Sequence, residues 1–250
     1  MKNAPLTRFW ELDVLRAIAV IMMIFYHIFY DLEYFGDHDF GLSTLPWVIY
    51  ARFGASIFIV LVGISLTLSF SRAEVGGIPE KEIQLKQVKR GIMIFLLGLV
   101  ITFTTWYLID EFVIVFGILH LIGLSVLLAL PLIKYRSLNL ILGIIFIILG
   151  AILIYPNFEF PWLVWLGFRP MEYDYVDYFP LLPWFGVVLI GIVAGHVLYP
   201  KYKRIFNLSD LSENIVIKPL TILGRHSLLI YLVHQPVIIS VLYVAGFISF

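Results

Sequence analysis

The chain has no cysteine, which excludes a disulfide framework, a thiolate metal site and a cysteine nucleophile. It has little charge: 14% of its 250 residues are Asp, Glu, Lys or Arg, and the two signs cancel to a net charge of zero, so no basic field is offered to nucleic acid. It also lacks a GxGxxG turn, a Walker loop, low-complexity tracts and internal repeats, which removes the nucleotide-binding and solenoid folds. What it has in excess is apolar surface. Hydrophobic residues make up 61% of the chain, and a mean hydropathy of +0.98 lies outside the range of soluble domains. The apolar runs are close to about 20 residues, the length of a spanning helix, and lack the alternation of barrel strands. The expected fold is all-α, a polytopic integral membrane helix bundle forming a single domain over residues 1–250. The opening MKNAPLTRFWELD leads into a run too long and too polar for a signal peptide, without a small-residue cleavage site, and is read as a retained first span.

Seven spans are expected, over residues 12–32, 47–70, 91–109, 112–132, 138–155, 181–199 and 220–244. Asp110 and Glu111, between the third and fourth, form a tight turn at the membrane surface, because adjacent carboxylates do not remain in lipid. Lys and Arg concentrate at the N-terminus (Lys2, Arg8) and in alternate loops: Arg72, Lys81, Lys86, Lys89 and Arg90; Lys134 and Arg136; Lys201, Lys203, Arg204 and Lys218. The intervening loops hold only Arg169, together with most of the acidic residues. By the positive-inside rule the N-terminus is cytoplasmic and the C-terminus external. The longest outer loop, 156–180, carries Trp162, Trp165, Tyr173, Tyr175 and Tyr178 beside Asp177, which suits an interfacial belt or a stacking surface for a sugar-like ligand. In the sixth span, GIVAG (191–195) is a small-residue face for close helix approach.

Ionisable groups inside apolar runs are costly and mark candidate sites. Residues 13–36, DVLRAIAVIMMIFYHIFYDLEYFG, carry Asp13, Arg16, His27 and Asp31 on one span. Arg16 and His27 fall within about 20° of each other, with Asp31 and Tyr34 close to the same line, a polar stripe that must face protein. His27 and Asp31, four apart, allow the carboxylate to orient the imidazole, or they clamp a neighbouring helix. Arg52 in span two reaches the depth of Asp31 as an ion-pair partner. FGILHLIG sets His120 between Gly117 and Gly123, either a satisfied core histidine or a ligand contact. GRHSLLIYLVHQP places His234 and Gln235 near mid-membrane beside Pro236, which frees the Leu232 carbonyl, while Arg225 and His226 stand at the cytoplasmic end. A metal held by His27, Asp31 and His120 is not expected, since two helices supply the ligands and no second shell is evident.

In order and over nearly the whole chain, LDVLRAIAVIMMIFYHIFYDLEYFG, FIVLVGISLTLSFSR, FGILHLIG, DYFPLLPWFGVVLIG and LGRHSLLIYLVHQP resemble the prokaryotic relatives of the heparan-alpha-glucosaminide N-acetyltransferase catalytic region, within the transmembrane acyltransferases. The lysosomal enzyme moves an acetyl group from cytosolic acetyl-CoA to a glucosamine amine across its membrane. The resemblance implies acetyl-CoA or another acyl-CoA as donor and an amino or hydroxyl group of an external or membrane-bound sugar or glycolipid as acceptor. Ala17 stands where the LRAIA block has Gly in the family. His27 occupies a position that is histidine in many prokaryotic members and asparagine in the lysosomal enzyme, and an ungapped extension puts His38 at that enzyme's catalytic histidine. The two assignments of the base compete. Heparan sulfate is not the expected acceptor, because the lysosomal enzyme's lumenal domain and extra helices have no counterpart here.

The leading expectation is therefore a plasma-membrane, multi-pass acyl-CoA-dependent N- or O-acyltransferase. Catalysis rests on His27 with Asp31, or on His38; Arg52, His120, Asp177, His234 and Gln235 contact the acceptor; and Arg16, Arg72, Lys86, Arg90, Arg136 and Arg225 meet the CoA phosphates. A homo-oligomer is compatible with this. The alternatives are a small proton-coupled transporter, against which the missing inverted repeat counts, and a non-catalytic subunit of an envelope-glycan assembly machine. Accessibility tags test the orientation: tags at the N-terminus and near Lys201 should be cytoplasmic, and tags near Asp174 or after Phe250 external. An externally accessible N-terminus contradicts it.

Overall fold

The computed structural model describes residues 8–108, 113–153, 160, 162–170 and 176–249. The expected turn at Asp110 and Glu111, together with Lys2, Tyr173, Asp174 and Tyr175, lies outside them. The described residues form the helices α1 (Trp10–Phe35), α2 (Leu45–Val75), α3 (Glu80–Leu108), α4 (Ile118–Ala129), α5 (Arg136–Leu153), α6 (Leu181–Leu198), α7 (Ile217–Arg225) and α8 (Ser227–Val244). Of the described residues 75% are helical and none is in a strand, which makes the fold all-α. Among the described residues six helices, α1, α2, α3, α5, α6 and α8, are long and apolar enough to cross a membrane.

Two departures from the expected spans have local causes. The fourth span is shorter than anticipated: α4 and the 3-10 turn Leu130–Leu132 begin only after Gly117, and about 15 residues cover roughly 22 Å of a hydrocarbon core about 30 Å thick. The residues before α4 are held away from the helix by α3, whose threonines take over their backbone groups. Thr102 Oγ1 donates to the Ile114 carbonyl at 2.5 Å, and the Ile114 N–H donates to Thr105 Oγ1 at 3.2 Å. The seventh span is broken at His226, between α7 and α8, whereas Pro236 lies inside α8 without ending it.

The backbone forms two compact units, Met1–Phe58 with Leu208–Phe250, and Ile59–Asn207, with α2 continuous from the first into the second. In the first, α8 lies against α1. Ile24, Ile28, Leu32 and Phe35 fall on one stripe of α1 by their spacing of three and four, and they meet Ile238, Leu242 and Ile248. In the second, the small-residue face of α6 takes α2 at close range: a side chain on Gly191 would collide with the Val60 carbonyl, and one on Gly63 with the Val188 carbonyl. Thr67, beside Gly195, hydrogen-bonds the Ile192 carbonyl across the same contact at 3.3 Å.

Candidate active site

The apolar stripe that joins α1 to α8 carries a polar cluster with it. His234 and Gln235 stand four and three residues before Ile238, on the same side of α8, and His27 and Asp31 flank the corresponding stripe of α1. The two imidazoles meet edge to face, with ring centroids 4.7 Å apart and planes at 87°. Gln235 Nε2 donates to Asp31 Oδ1 at 2.6 Å, and Asp31 is fully buried.

The backbone decides the tautomers. His27 Nδ1 lies 2.8 Å from the Met23 carbonyl and His234 Nδ1 lies 2.5 Å from the Tyr231 carbonyl. A carbonyl oxygen only accepts, so each Nδ1 carries its proton in the neutral ring and each Nε2 keeps its lone pair. Met23, not Asp31, therefore sets the His27 tautomer, and the carboxylate is engaged by Gln235. The amide orientation follows in turn, because the NH2 that faces Asp31 leaves Oε1 on the other side. Asp31 Oδ2, Gln235 Oε1 and His234 Nε2 are buried with no hydrogen-bond partner among the described residues. All three are acceptors. Buried acceptors left unanswered are expensive, and a set that shares one sign of hydrogen bonding is complementary to a molecule rich in N–H or O–H groups.

At the N-terminal end of α1 stands a second cluster, centred on Asp13. Its carboxylate is fully buried and accepts from three guanidinium groups: Arg8 through Nε at 2.7 Å and Nη2 at 2.8 Å, Arg16 through Nη1 at 2.5 Å, and Arg225 through Nε at 3.4 Å. Arg225 reaches it because Gly224 lets α7 come directly against the α1 backbone, where a side chain would run into the Asp13 carbonyl.

The remaining expected residues are distributed as follows. Arg52 is exposed and makes no ion pair with Asp31, whose partner is Gln235, so the anticipated pair is not formed. His38 is exposed on the loop after α1, its ring parallel to Phe40 at 5.8 Å. The turns of α1 beyond His27 set the two apart by roughly 12 Å along the axis. That loop is folded by Glu33, whose carboxylate accepts from the Phe40 N–H at 2.8 Å and the Leu42 N–H at 3.3 Å. In the second unit, His120 is buried between Phe95 and Phe116, and both ring nitrogens are engaged. Gly117 N–H donates to Nδ1 at 3.2 Å, so Nε2 carries the proton and faces Thr102 Oγ1 at 3.4 Å. It is a clasp between α3 and α4, with Gly98 making room for the ring. Asp177 accepts from the Ile118 N–H at 3.4 Å and caps the start of α4. Arg72 lies over the Tyr202 ring, and Lys86, Arg90 and Arg136 are exposed on α3 and α5. No group of three or more His, Asp or Glu among the described residues is arranged to hold a metal ion.

The model of the family described as Heparan-alpha-glucosaminide N-acetyltransferase, catalytic, matches residues 8–236. The chain belongs to this family. It is a multi-pass membrane protein of an acetyltransferase family, and the matched stretch includes both clusters of the first unit, from Arg8 through His27 and Asp31 to Arg225, His234 and Gln235. No curated protein and no solved structure matches the chain. Within this family member, the hub role of Asp13 and its bond to Arg8 were not read from the sequence. The i, i+3 spacing of Asp13 and Arg16 was the available signal, whereas Arg225, 212 positions away from Asp13, had none.

The Gln235–Asp31 bond gives a direct test of the cluster's internal order. Replacing Gln235 by Leu leaves a buried carboxylate without its donor and should lower stability by about 1.5–3 kcal/mol, read from unfolding in detergent. Wild-type stability of this variant would show that Asp31 finds its partner elsewhere.

Proposed function

We propose that the protein transfers an acyl group from acyl-CoA, acetyl-CoA in the first instance, to an amino or hydroxyl group of an external or membrane-bound sugar or glycolipid, and that it works in the plasma membrane with its N-terminus cytoplasmic. Membership of the N-acetyltransferase family supports the reaction type. The observation that carries the acceptor class is the set of unanswered acceptor atoms on α1 and α8. A sugar amine or hydroxyl supplies the N–H and O–H groups that Asp31 Oδ2, Gln235 Oε1 and His234 Nε2 require.

His27 acts as the base. Its Nε2 takes the acceptor's proton as the acceptor nitrogen or oxygen bonds to the acyl carbon; the carbon–sulfur bond breaks, and the departing thiolate recovers the proton from His27. Met23 holds the ring in the tautomer this needs, and His234, edge-on to it, receives a second donor of the acceptor. The phosphates of the donor are met by the arginines of the first unit, Arg16 and Arg225.

The experiment is acyl transfer by purified protein in lipid nanodiscs, with labelled acetyl-CoA and amino-sugar or sugar acceptors. His27→Ala should reduce transfer by a factor of about 10² to 10⁴ while donor binding persists, and His38→Ala should retain most of it. Loss confined to His38→Ala would move the base to the outer loop, and unchanged transfer in both would remove the histidine mechanism.

A further inference from the structure

The Asp13 cluster gathers more guanidinium groups than an ion pair requires. One carboxylate satisfied by one arginine would be a closed structural bridge. Here three guanidinium groups converge on it. The anion is wholly buried, whereas the cations are not: side-chain exposure is 0% for Asp13, 18% for Arg16, 45% for Arg225 and 53% for Arg8. Arg225 meets the carboxylate through its Nε at 3.4 Å. A guanidinium carries five donors in a rigid fork, the geometry suited to phosphate oxygens. A fully buried carboxylate beneath guanidinium groups of which two, Arg8 and Arg225, are about half exposed is arranged as a support.

We propose that Asp13 is a positioning residue that holds Arg8, Arg16 and Arg225 as one phosphate-binding fork at the N-terminal end of α1. The occupant is a phosphoester anion. The assignment of that anion to the acyl donor rests on the function proposed above; the headgroup phosphate of an anionic lipid shares the same chemistry, and the test separates the two. Along α1 the fork lies about 21 Å from His27, so a donor anchored there must reach the acceptor cluster through an extended arm, as the pantetheine chain of CoA provides.

Charge and positioning predict opposite signs for one substitution. If the cluster attracts phosphate only through its net charge, Asp13→Asn removes a negative charge and should tighten binding. If Asp13 sets the geometry of the forks, the same change should weaken binding despite the extra positive charge, and Asp13→Glu should restore most of it.

The measurement is equilibrium binding of CoA and of inorganic pyrophosphate to the full chain, in nanodiscs of neutral lipid and in nanodiscs containing anionic phospholipid. Size-exclusion behaviour and thermal unfolding of each variant accompany it. The expected result is at least about tenfold weaker binding of both probes for Asp13→Asn, with recovery in Asp13→Glu. Unchanged or tighter binding by folded Asp13→Asn overturns the proposal, as does failure of the wild type to bind either probe. Pyrophosphate binding that depends on Asp13 without any CoA binding, or binding abolished by anionic lipid, supports the fork and overturns the donor assignment. Should Asp13→Asn not fold, Arg8→Gln and Arg225→Gln, both at exposed positions, carry the test: each should weaken pyrophosphate binding several-fold, and wild-type affinity in both overturns the proposal.

Discussion

A carboxylate placed on an apolar helix has to be answered by protein, and α1 carries two that are fully buried, Asp13 and Asp31. Beyond the local Arg8 and Arg16 at Asp13, the answers come from the same distant part of the chain. Arg225 on α7 meets the first and Gln235 on α8 meets the second, so the requirement for polar satisfaction fixes the register of the C-terminal helices on the N-terminal one. The apolar contacts of Ile24, Ile28 and Leu32 with Ile238 and Leu242 supply area, but they would tolerate sliding by a turn. The polar bonds would not. His27 and His234 are brought edge to face as a consequence, and the break at His226 lets α7 and α8 each satisfy its own partner.

The histidines show how the same side chain is made structural or reactive by what its nitrogens meet. His120 receives a backbone N–H on one nitrogen and faces a threonine hydroxyl with the other, which closes it as a clasp between α3 and α4. His27 and His234 each spend one nitrogen on a carbonyl of their own helix. Both then hold an unprotonated Nε2 in a setting where Asp31 and Gln235 add further acceptors. Asn139 in the second unit bonds one end of its amide, Nδ2 donating to the Leu132 carbonyl at 2.8 Å, while its Oδ1 has no partner among the described residues; on α1 and α8 such unanswered acceptors stand on three polar side chains of one helix contact.

Much of this was legible in the sequence. Composition and the length of the apolar runs identify a helical membrane protein, the family resemblance is matched over residues 8–236, and the expected bounds of α1, α2, α5 and α6 lie within a few residues of those observed. The shortness of α4 was not legible, because it depends on Thr102 and Thr105 capturing the backbone before Gly117, and apolar residues there read the same in a helix or out of it. Helical periodicity placed His27 and Asp31 on one face, but it could not say which carbonyl sets a tautomer or that Asp31 answers Gln235 and not Arg52. Those partners are set by how α8 lies on α1, a contact between residues some 200 positions apart, which no local pattern encodes.

The central claim is that α1 and α8 present a set of acceptors, with both imidazoles neutral and protonated at Nδ1. It is tested most directly by ¹⁵N NMR of the histidine side chains in protein labelled at histidine nitrogens and held in a lipid bilayer at neutral pH, with His27→Ala and His234→Ala used for assignment. The account predicts, for each ring, an Nδ1 resonance of the proton-bearing type coupled to its hydrogen and an Nε2 resonance of the lone-pair type, and it predicts the reverse pattern for His120. A proton on Nε2 of His27 or His234, or a doubly protonated ring at either position, would contradict it.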